Sequence, residues 1–251
     1  MSEKKIDLIA QLLAKAESTT PEEAEALMEH AYRLMQKYAI DQAVIDARRA
    51  REGKTHEQIV TRIMRFEGMY RKDMLSFGSY IVSALGQARA FISSGRGGNN
   101  VTYLHIVGFE SDVQQAETLI QSLHVQAMVA LKVWWYEARY TDRYLYESDS
   151  AKTRARHVFV ESFGNGAAER IRENRNQVIS ESSSGTDLVL VARRDNVDAW
   201  VADNMQIGRG RATKRKWDST ASGAGNHAGR NAATGERSMT QGRGLPAGAT
   251  R

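Results

Sequence analysis

The last 46 residues of the chain hold the side chains whose type and spacing most directly suggest a chemistry. Residues 206–251 contain nine Lys or Arg and two acids, so they carry +7, whereas the whole chain carries only +5 and residues 1–205 therefore carry −2. Basic side chains on a Gly-rich backbone can follow nucleic-acid phosphates, and a neighbouring Trp can stack on a base. We predict DNA or RNA contacts by Arg209, Arg211, Lys214, Arg215, Lys216 and Trp217. The alternative is a solubilising terminus without a dedicated ligand.

A second set of residues could bind a metal ion or transfer protons. His105 lies in an alternating apolar segment that leads directly to Glu110 and Asp112 at the start of a helix. Imidazole and carboxylate groups are common ligands of divalent metals, which would allow a metal-dependent hydrolase or nuclease. The alternative is structural, because acids favour a helix N-terminus and a strand His is usually a hydrogen-bonded core residue.

Other motifs have weaker implications. Aromatic residues cluster at 134–146 and alternate with Arg139 and Arg143, which favours either packing on the next helix or an exposed surface for bases or proteins. His157 and Glu161 share one helix face, like half a metal site. The Gly-rich segment 95–98 favours a hairpin turn, because a phosphate-binding loop would precede a helix.

The elements that must position these residues follow from periodicity. A helix is predicted over 3–17, and Thr20, Pro21 and Glu23 form a capping box that opens a second helix with an apolar stripe through Tyr38. A short charged helix is expected at 41–52. The first two of these helices should pack as a hairpin.

Residues 58–67, 90–93, 101–109 and 187–192 are predicted strands. Helices are expected at 70–87, 151–179 and 196–204, and a further long helix should begin at a Ser111–Gln114 capping box. Gly164 and Gly166 weaken the helical pattern at 151–179. The fold class is therefore α+β, with a small, mostly antiparallel sheet covered by long helices. The expected domains are a helical hairpin at 1–52, an α+β domain at 56–205 and a disordered basic tail at 206–251.

The N-terminal residues also resemble a known family. Leu12-Leu13-Ala14-Lys15-Ala16-Glu17-Ser18-Thr19-Thr20 and Leu34-Met35-Gln36-Lys37-Tyr38 are similar to the family named domain of unknown function 2786. The Val107–Val113 segment and residues near Ser122 and Phe163 resemble the second domain that often follows it. The resemblance implies a phage or prophage product of bacteria, and it implies no activity, substrate or catalytic residue.

Composition limits the remaining possibilities. The chain has no Cys, which excludes disulfides and thiol catalysis and is compatible with a reducing cytoplasm. Its apolar runs are too short for a membrane span. We favour a phage-type cytoplasmic binding protein without catalysis that contacts nucleic acid and needs no cofactor, although a divalent metal remains possible. A module that binds a host protein is a further alternative.

Overall fold

The computed structural model describes residues 8, 11, 12, 15, 19–53, 57–94, 100–182, 184–208 and 216–232. The chain divides into two compact units, Met1–Met35 with Ala233–Arg251 and Gln36–Ala232. The predicted α+β class is confirmed. The described residues form a three-stranded sheet and these helices: α1 (Pro21–Arg51), α2 (Arg71–Leu85), α3 (Glu110–Ala138), α4 (Asp142–Leu145), α5 (Asp149–Ser180), α6 (Thr186–Asn204) and α7 (Ser219–Arg230).

Helix α1 begins where the capping box predicts. The backbone N–H of Glu23 donates to the Thr20 hydroxyl at 3.4 Å, and the Thr19 hydroxyl donates to the Glu23 carboxylate. The helix then continues without a break to Arg51, so the separate helix predicted at 41–52 is its C-terminal part. No Gly or Pro interrupts this stretch, and nothing local ends the helix earlier. The hairpin packing of the N-terminal helices remains a prediction.

The sheet has β3 at its centre and is antiparallel throughout. Strand β1 (Ile59–Glu67) pairs with β3 (Val101–Phe109), and β2 (Arg89–Ser94) pairs with the other side of β3. The register joins Ile63 and Phe91 to His105 on opposite sides. The predicted strands at 58–67, 90–93 and 101–109 are thus confirmed.

Each face of the sheet packs on different helices. Leu104 and Ile106 are fully buried on the face covered by α2 and α3. Behind that face, the rings of Phe77 in α2 and Phe163 in α5 stack with centroids 6.1 Å apart. On the opposite face, Val107 and Phe109 pack against Val197 and Val201 of α6. The α2–α3–α5 layer is therefore the main core, and α6 covers one end of the outer face.

The strand predicted at 187–192 is wrong, because these residues lie in the first half of α6. Leu188-Val189-Leu190-Val191 has the composition of a strand, but tertiary packing decides otherwise. Leu190, Arg193, Val197 and Val201 are buried. Their spacing of three and four residues places them on one side of a helix.

The disordered tail predicted from residue 206 is wrong for Ser219–Arg230, which form α7 against α5. Three small residues spaced by four, Ala221, Gly225 and Gly229, are its buried positions. A Cβ atom at Gly229 would lie 2.0 Å from the carbonyl oxygen of Phe163 in α5. Gly166 of α5 makes the reciprocal approach, because its Cβ would lie 2.1 Å from the carbonyl oxygen of Asn226. The glycines therefore allow two helix backbones to touch.

The domain boundaries at residues 52, 56 and 205 remain predictions. In the described part of the chain, no helix combines the length and the apolar character that crossing a membrane requires.

Candidate nucleic-acid interface

The aromatic residues at the end of α3 divide between core and surface. Trp134 stacks on Phe159 of α5 with ring centroids 4.8 Å apart and meets Tyr144 edge-on at 5.9 Å. This confirms the packing of the aromatic segment on the next helix. Tyr140 and Tyr146 remain 64% and 87% exposed. Part of the aromatic cluster is therefore packed in the core, and the other part is exposed to solvent.

Three guanidinium groups lie over rings of this cluster. Arg139 lies 4.5 Å from the ring centroid of Tyr140 and 5.2 Å from that of Tyr136. Arg156 lies 5.4 Å from the ring of Trp135, and Arg143 lies 5.0 Å from that of Tyr144. A stacked guanidinium group can still donate through its terminal Nη atoms, which suits phosphate and base recognition, although Nε of Arg139 and of Arg156 is buried.

The exposed part of the cluster surrounds a cavity of about 410 Å³. Its lining residues are Trp135, Arg139, Tyr140, Leu145, Asp149, Lys152, Thr153 and Arg156. Three of these are cations and Asp149 is an acid, so the lining has a net positive charge. We call Trp135, Arg139, Tyr140, Lys152 and Arg156 the aromatic–arginine surface. In the described part of the chain, none of its three cations forms an ion pair with a carboxylate.

Asp218 attaches the start of α7 next to this surface. Its carboxylate accepts from the Tyr144 hydroxyl and from Nη2 of Arg143, both at 2.8 Å. It also accepts the N–H of Ala221 at 2.9 Å and so caps α7. Burial, together with the hydrogen bond and the charge of Asp218, raises the pKa of Tyr144. The buried hydroxyl therefore remains a donor, and this contact fixes where the chain enters α7.

The two described residues of the predicted nucleic-acid set lie directly before this contact. Lys216 and Trp217 are exposed, with 54% of Trp217 accessible. The other four, Arg209, Arg211, Lys214 and Arg215, lie outside the described residues, as does the whole Gly-rich segment 95–98. The structure thus brings Trp217 into the same region as Tyr144 and Arg143, a proximity that sequence spacing did not reveal.

The predicted metal residues are not brought together. Nε2 of His105 hydrogen-bonds to the Ser93 hydroxyl at 2.8 Å, and Glu110 is exposed with Arg62 at 3.8 Å. Asp112 is buried and accepts from Nε of Arg193 at 2.7 Å. Among the residues that the structure describes, no group of three or more His, Cys, Asp or Glu side chains could hold a metal ion.

His157 and Glu161, which resemble half a metal site in sequence, do not share a ligand position either. His157 hydrogen-bonds through Nδ1 to the fully buried carboxylate of Asp73, whereas Glu161 accepts from the Tyr80 hydroxyl at 3.3 Å. Although both lie on α5, each completes a different contact with α2.

A buried arginine cluster was missed by sequence reasoning. Arg193 donates to Asp112, to Asp46 of α1 at 3.2 Å and to Glu57, and its guanidinium lies 3.9 Å from the Phe109 ring centroid. Ser111, predicted as a helix cap, is instead part of this cluster: it donates to Glu57 and accepts from Arg193, and α3 begins after Phe109 without a side-chain cap. An Arg among the apolar positions of α6 was the available signal.

The electrostatics of this cluster follow from three carboxylates around one arginine. Burial raises the pKa of Asp112 to about 6, outweighing the charge and hydrogen bond of Arg193, which lower it. For Arg193, burial lowers the pKa, but the charge of Asp112 and the hydrogen bonds of Glu57 and Asp112 raise it overall. Arg193 is therefore a permanent cation that joins α1, α3 and α6, while Asp112 can take up a proton.

Comparison with known proteins bears on the N-terminal region alone. Residues 4–42 match the family described as protein of unknown function (DUF2786). This confirms the resemblance that the N-terminal motifs suggested. Neither the curated proteins nor the solved structures contain a match to the chain. The matched segment does not include the aromatic–arginine surface, which must be interpreted from its own geometry.

Proposed function

We propose that the protein binds single-stranded nucleic acid through the aromatic–arginine surface together with the basic residues that precede α7. The observation that carries this proposal is the set of guanidinium groups stacked on exposed or half-buried rings, close to the Tyr144–Asp218 contact that Trp217 directly precedes. Exposed aromatic rings can stack on unpaired bases. In a duplex the bases are already paired and stacked on one another, so this chemistry favours single strands.

Charge supports the same proposal. Arg139, Lys152 and Arg156 have no carboxylate partner in the described part of the chain, so binding a phosphate would not require breaking an ion pair. Each phosphate contact on a single strand should contribute about −0.7 to the slope of log K against log salt concentration. Arg209, Arg211, Lys214 and Arg215 would extend the cationic path away from Asp218.

The family match is consistent with an uncharacterised protein. The phage-type setting and the cytoplasmic location remain part of the proposal: the first rests on the resemblance alone, and the second on a sequence without Cys. No observation in the described residues favours the metal-dependent hydrolase or the host-protein module over nucleic-acid binding.

Fluorescence anisotropy of the full chain with labelled oligo-dT, oligo-U and a duplex, at two salt concentrations, tests the proposal. We expect salt-dependent binding that is tighter for single strands. Replacing Arg209, Arg211, Lys214 and Arg215 with Ser should make the salt slope shallower by about 3. Tyr140→Ala should weaken binding by about 1–3 kcal/mol through lost stacking and leave the slope nearly unchanged.

A matched control removes positive charge elsewhere. Arg48, Arg49 and Arg51 lie exposed in the last turn of α1. Their replacement with Ser should leave both affinity and salt slope close to those of the unmodified chain. Equal losses in this control and in the four-residue variant would show only a general charge effect, and absence of binding at low salt would refute the proposal.

A further inference from the structure

Helix α3 has an apolar stripe on the side that faces away from the core. Val125, Val129, Val133 and Tyr136 are 64%, 59%, 62% and 67% exposed. Their spacing of four, four and three residues adds up to 11 residues, about three helical turns, which keeps the side chains along one side of a nearly straight helix. The opposite side is buried through Leu119, Leu123, Ala127 and Leu131. A helix with two apolar sides usually packs on both.

Charged side chains border this stripe on both flanks. At 100° per residue, Lys132 and Glu137 lie on opposite flanks, and both are exposed. Neither forms an ion pair within the described part of the chain. Eleven residues earlier, Gln121 and Gln126 occupy the equivalent positions. The stripe therefore has one cationic and one anionic border near its C-terminal end.

We propose that the α3 stripe binds the same stripe of a second copy of this chain, with the two helices parallel and in register. In a parallel pair, a residue on one flank faces a residue about five positions later on the opposite flank of the second helix. Lys132 of each copy then faces Glu137 of the other, so twofold symmetry produces two complementary contacts. An antiparallel pair centred on the stripe would bring the two Lys132 flanks together.

The arrangement has a consequence for ligand binding that goes beyond the proposed function. Parallel α3 helices place their C-terminal ends side by side, and the aromatic–arginine surface lies at that end. Two such surfaces could then engage one strand, and the second contact would benefit from high effective concentration.

Sedimentation velocity of the full chain without nucleic acid, over about 1–100 µM, tests self-association. A stripe about 16 Å long makes a small interface, so we expect a weak dimer that dissociates within this concentration range. Val129→Glu places a charge in the middle of the α3 stripe of both copies and should weaken the dimer by more than about 100-fold. Leu188→Glu is the matched control, because Leu188 is 69% exposed but lies in α6.

Charge reversal tests the orientation. Lys132→Glu and Glu137→Lys should each weaken the dimer by about tenfold, because each creates two like-charge contacts. The double variant should return to within about threefold of the unmodified chain, since both contacts are restored in reversed polarity. A monomer throughout the concentration range, a dimer unaffected by Val129→Glu, or a double variant as weak as the single ones would overturn the proposal. None of these results depends on nucleic-acid binding.

Discussion

Replacing Gly229 with Ala should destabilise the chain, although Ala is the better helix former. The favourable part of the change is the helix propensity of Ala over Gly, about 1 kcal/mol. The unfavourable part comes from the new methyl group, whose carbon would lie 2.0 Å from the carbonyl oxygen of Phe163 and 2.9 Å from the backbone nitrogen of Ala167. Both are backbone atoms of α5, so no side-chain rotation can relieve the overlap.

The size of the effect follows from these two opposed contributions. Removing the overlap requires α7 to move away from α5 by more than 1 Å, which is about the shortfall from an ordinary van der Waals contact. Overpacking of this kind costs about 1–3 kcal/mol, and more where the backbone must shift. We expect a net loss of about 1–2 kcal/mol, or about 2–8 °C in the melting temperature of a unit of this size.

Gly223→Ala provides the matched control within the same helix. A Cβ atom at Gly223 would meet nothing within 4 Å, so the substitution keeps the propensity gain without an overlap. It should stabilise the helix by about 0.5–1 kcal/mol. Thermal unfolding followed by circular dichroism gives the global effect, and hydrogen exchange of the α7 amides detects opening confined to that helix. If Gly229→Ala matched Gly223→Ala in both measurements, the backbone contact between α5 and α7 would be refuted.

Two further predictions concern the arginine cluster. Arg193→Met leaves three carboxylates without their cation and should lower the free energy of unfolding at pH 7 by about 3–5 kcal/mol, measured by urea denaturation. Burial raises the pKa of folded Asp112 from its ordinary value of 3.8 to about 6. Its contribution to stability is therefore fully present below pH 3.8 and falls by up to about 3 kcal/mol as pH rises through 6, so Asp112→Asn should remove this component from the pH profile.

Local sequence signals were sufficient for the sheet and most helices. The alternation through Val101, Tyr103, His105 and Val107 correctly placed β3, and the Thr20 capping box correctly placed the start of α1. Apolar residues in each of these elements recur with the period of its own secondary structure, so residues close in sequence are enough to predict it. The strand predicted at 187–192 failed because Leu and Val can occupy either state, and only tertiary packing, here of Leu190 against Ile40 and Ala43 of α1, decided between them.

The errors at the candidate sites have a related cause. Sequence proximity suggested that His105 and Asp112 could share a ligand, but the strand-to-helix junction sends Asp112 to Arg193, 81 positions away in sequence. The contact of Asp218 with Tyr144 spans 74 positions. Long-range ion pairs and hydrogen bonds of this kind leave no local spacing pattern. The composition of α7 was also misleading. A Gly-rich segment predicts disorder, whereas here the glycines allow close contact with α5.

The packing of α7 changes how the basic segment should be tested. Arg230 at its end donates to Glu169 and Glu173 of α5 at 2.7 and 2.8 Å, so the helix is held at both ends. A chain shortened at residue 205 would lose these contacts, uncover the backbone of α5 at Phe159 and Phe163, and remove the positive charges at the same time. Weaker nucleic-acid binding by that fragment would therefore not identify its cause. Substituting charges before Asp218 while keeping α7 separates electrostatic contact from structural support, since only the former predicts a change in salt slope.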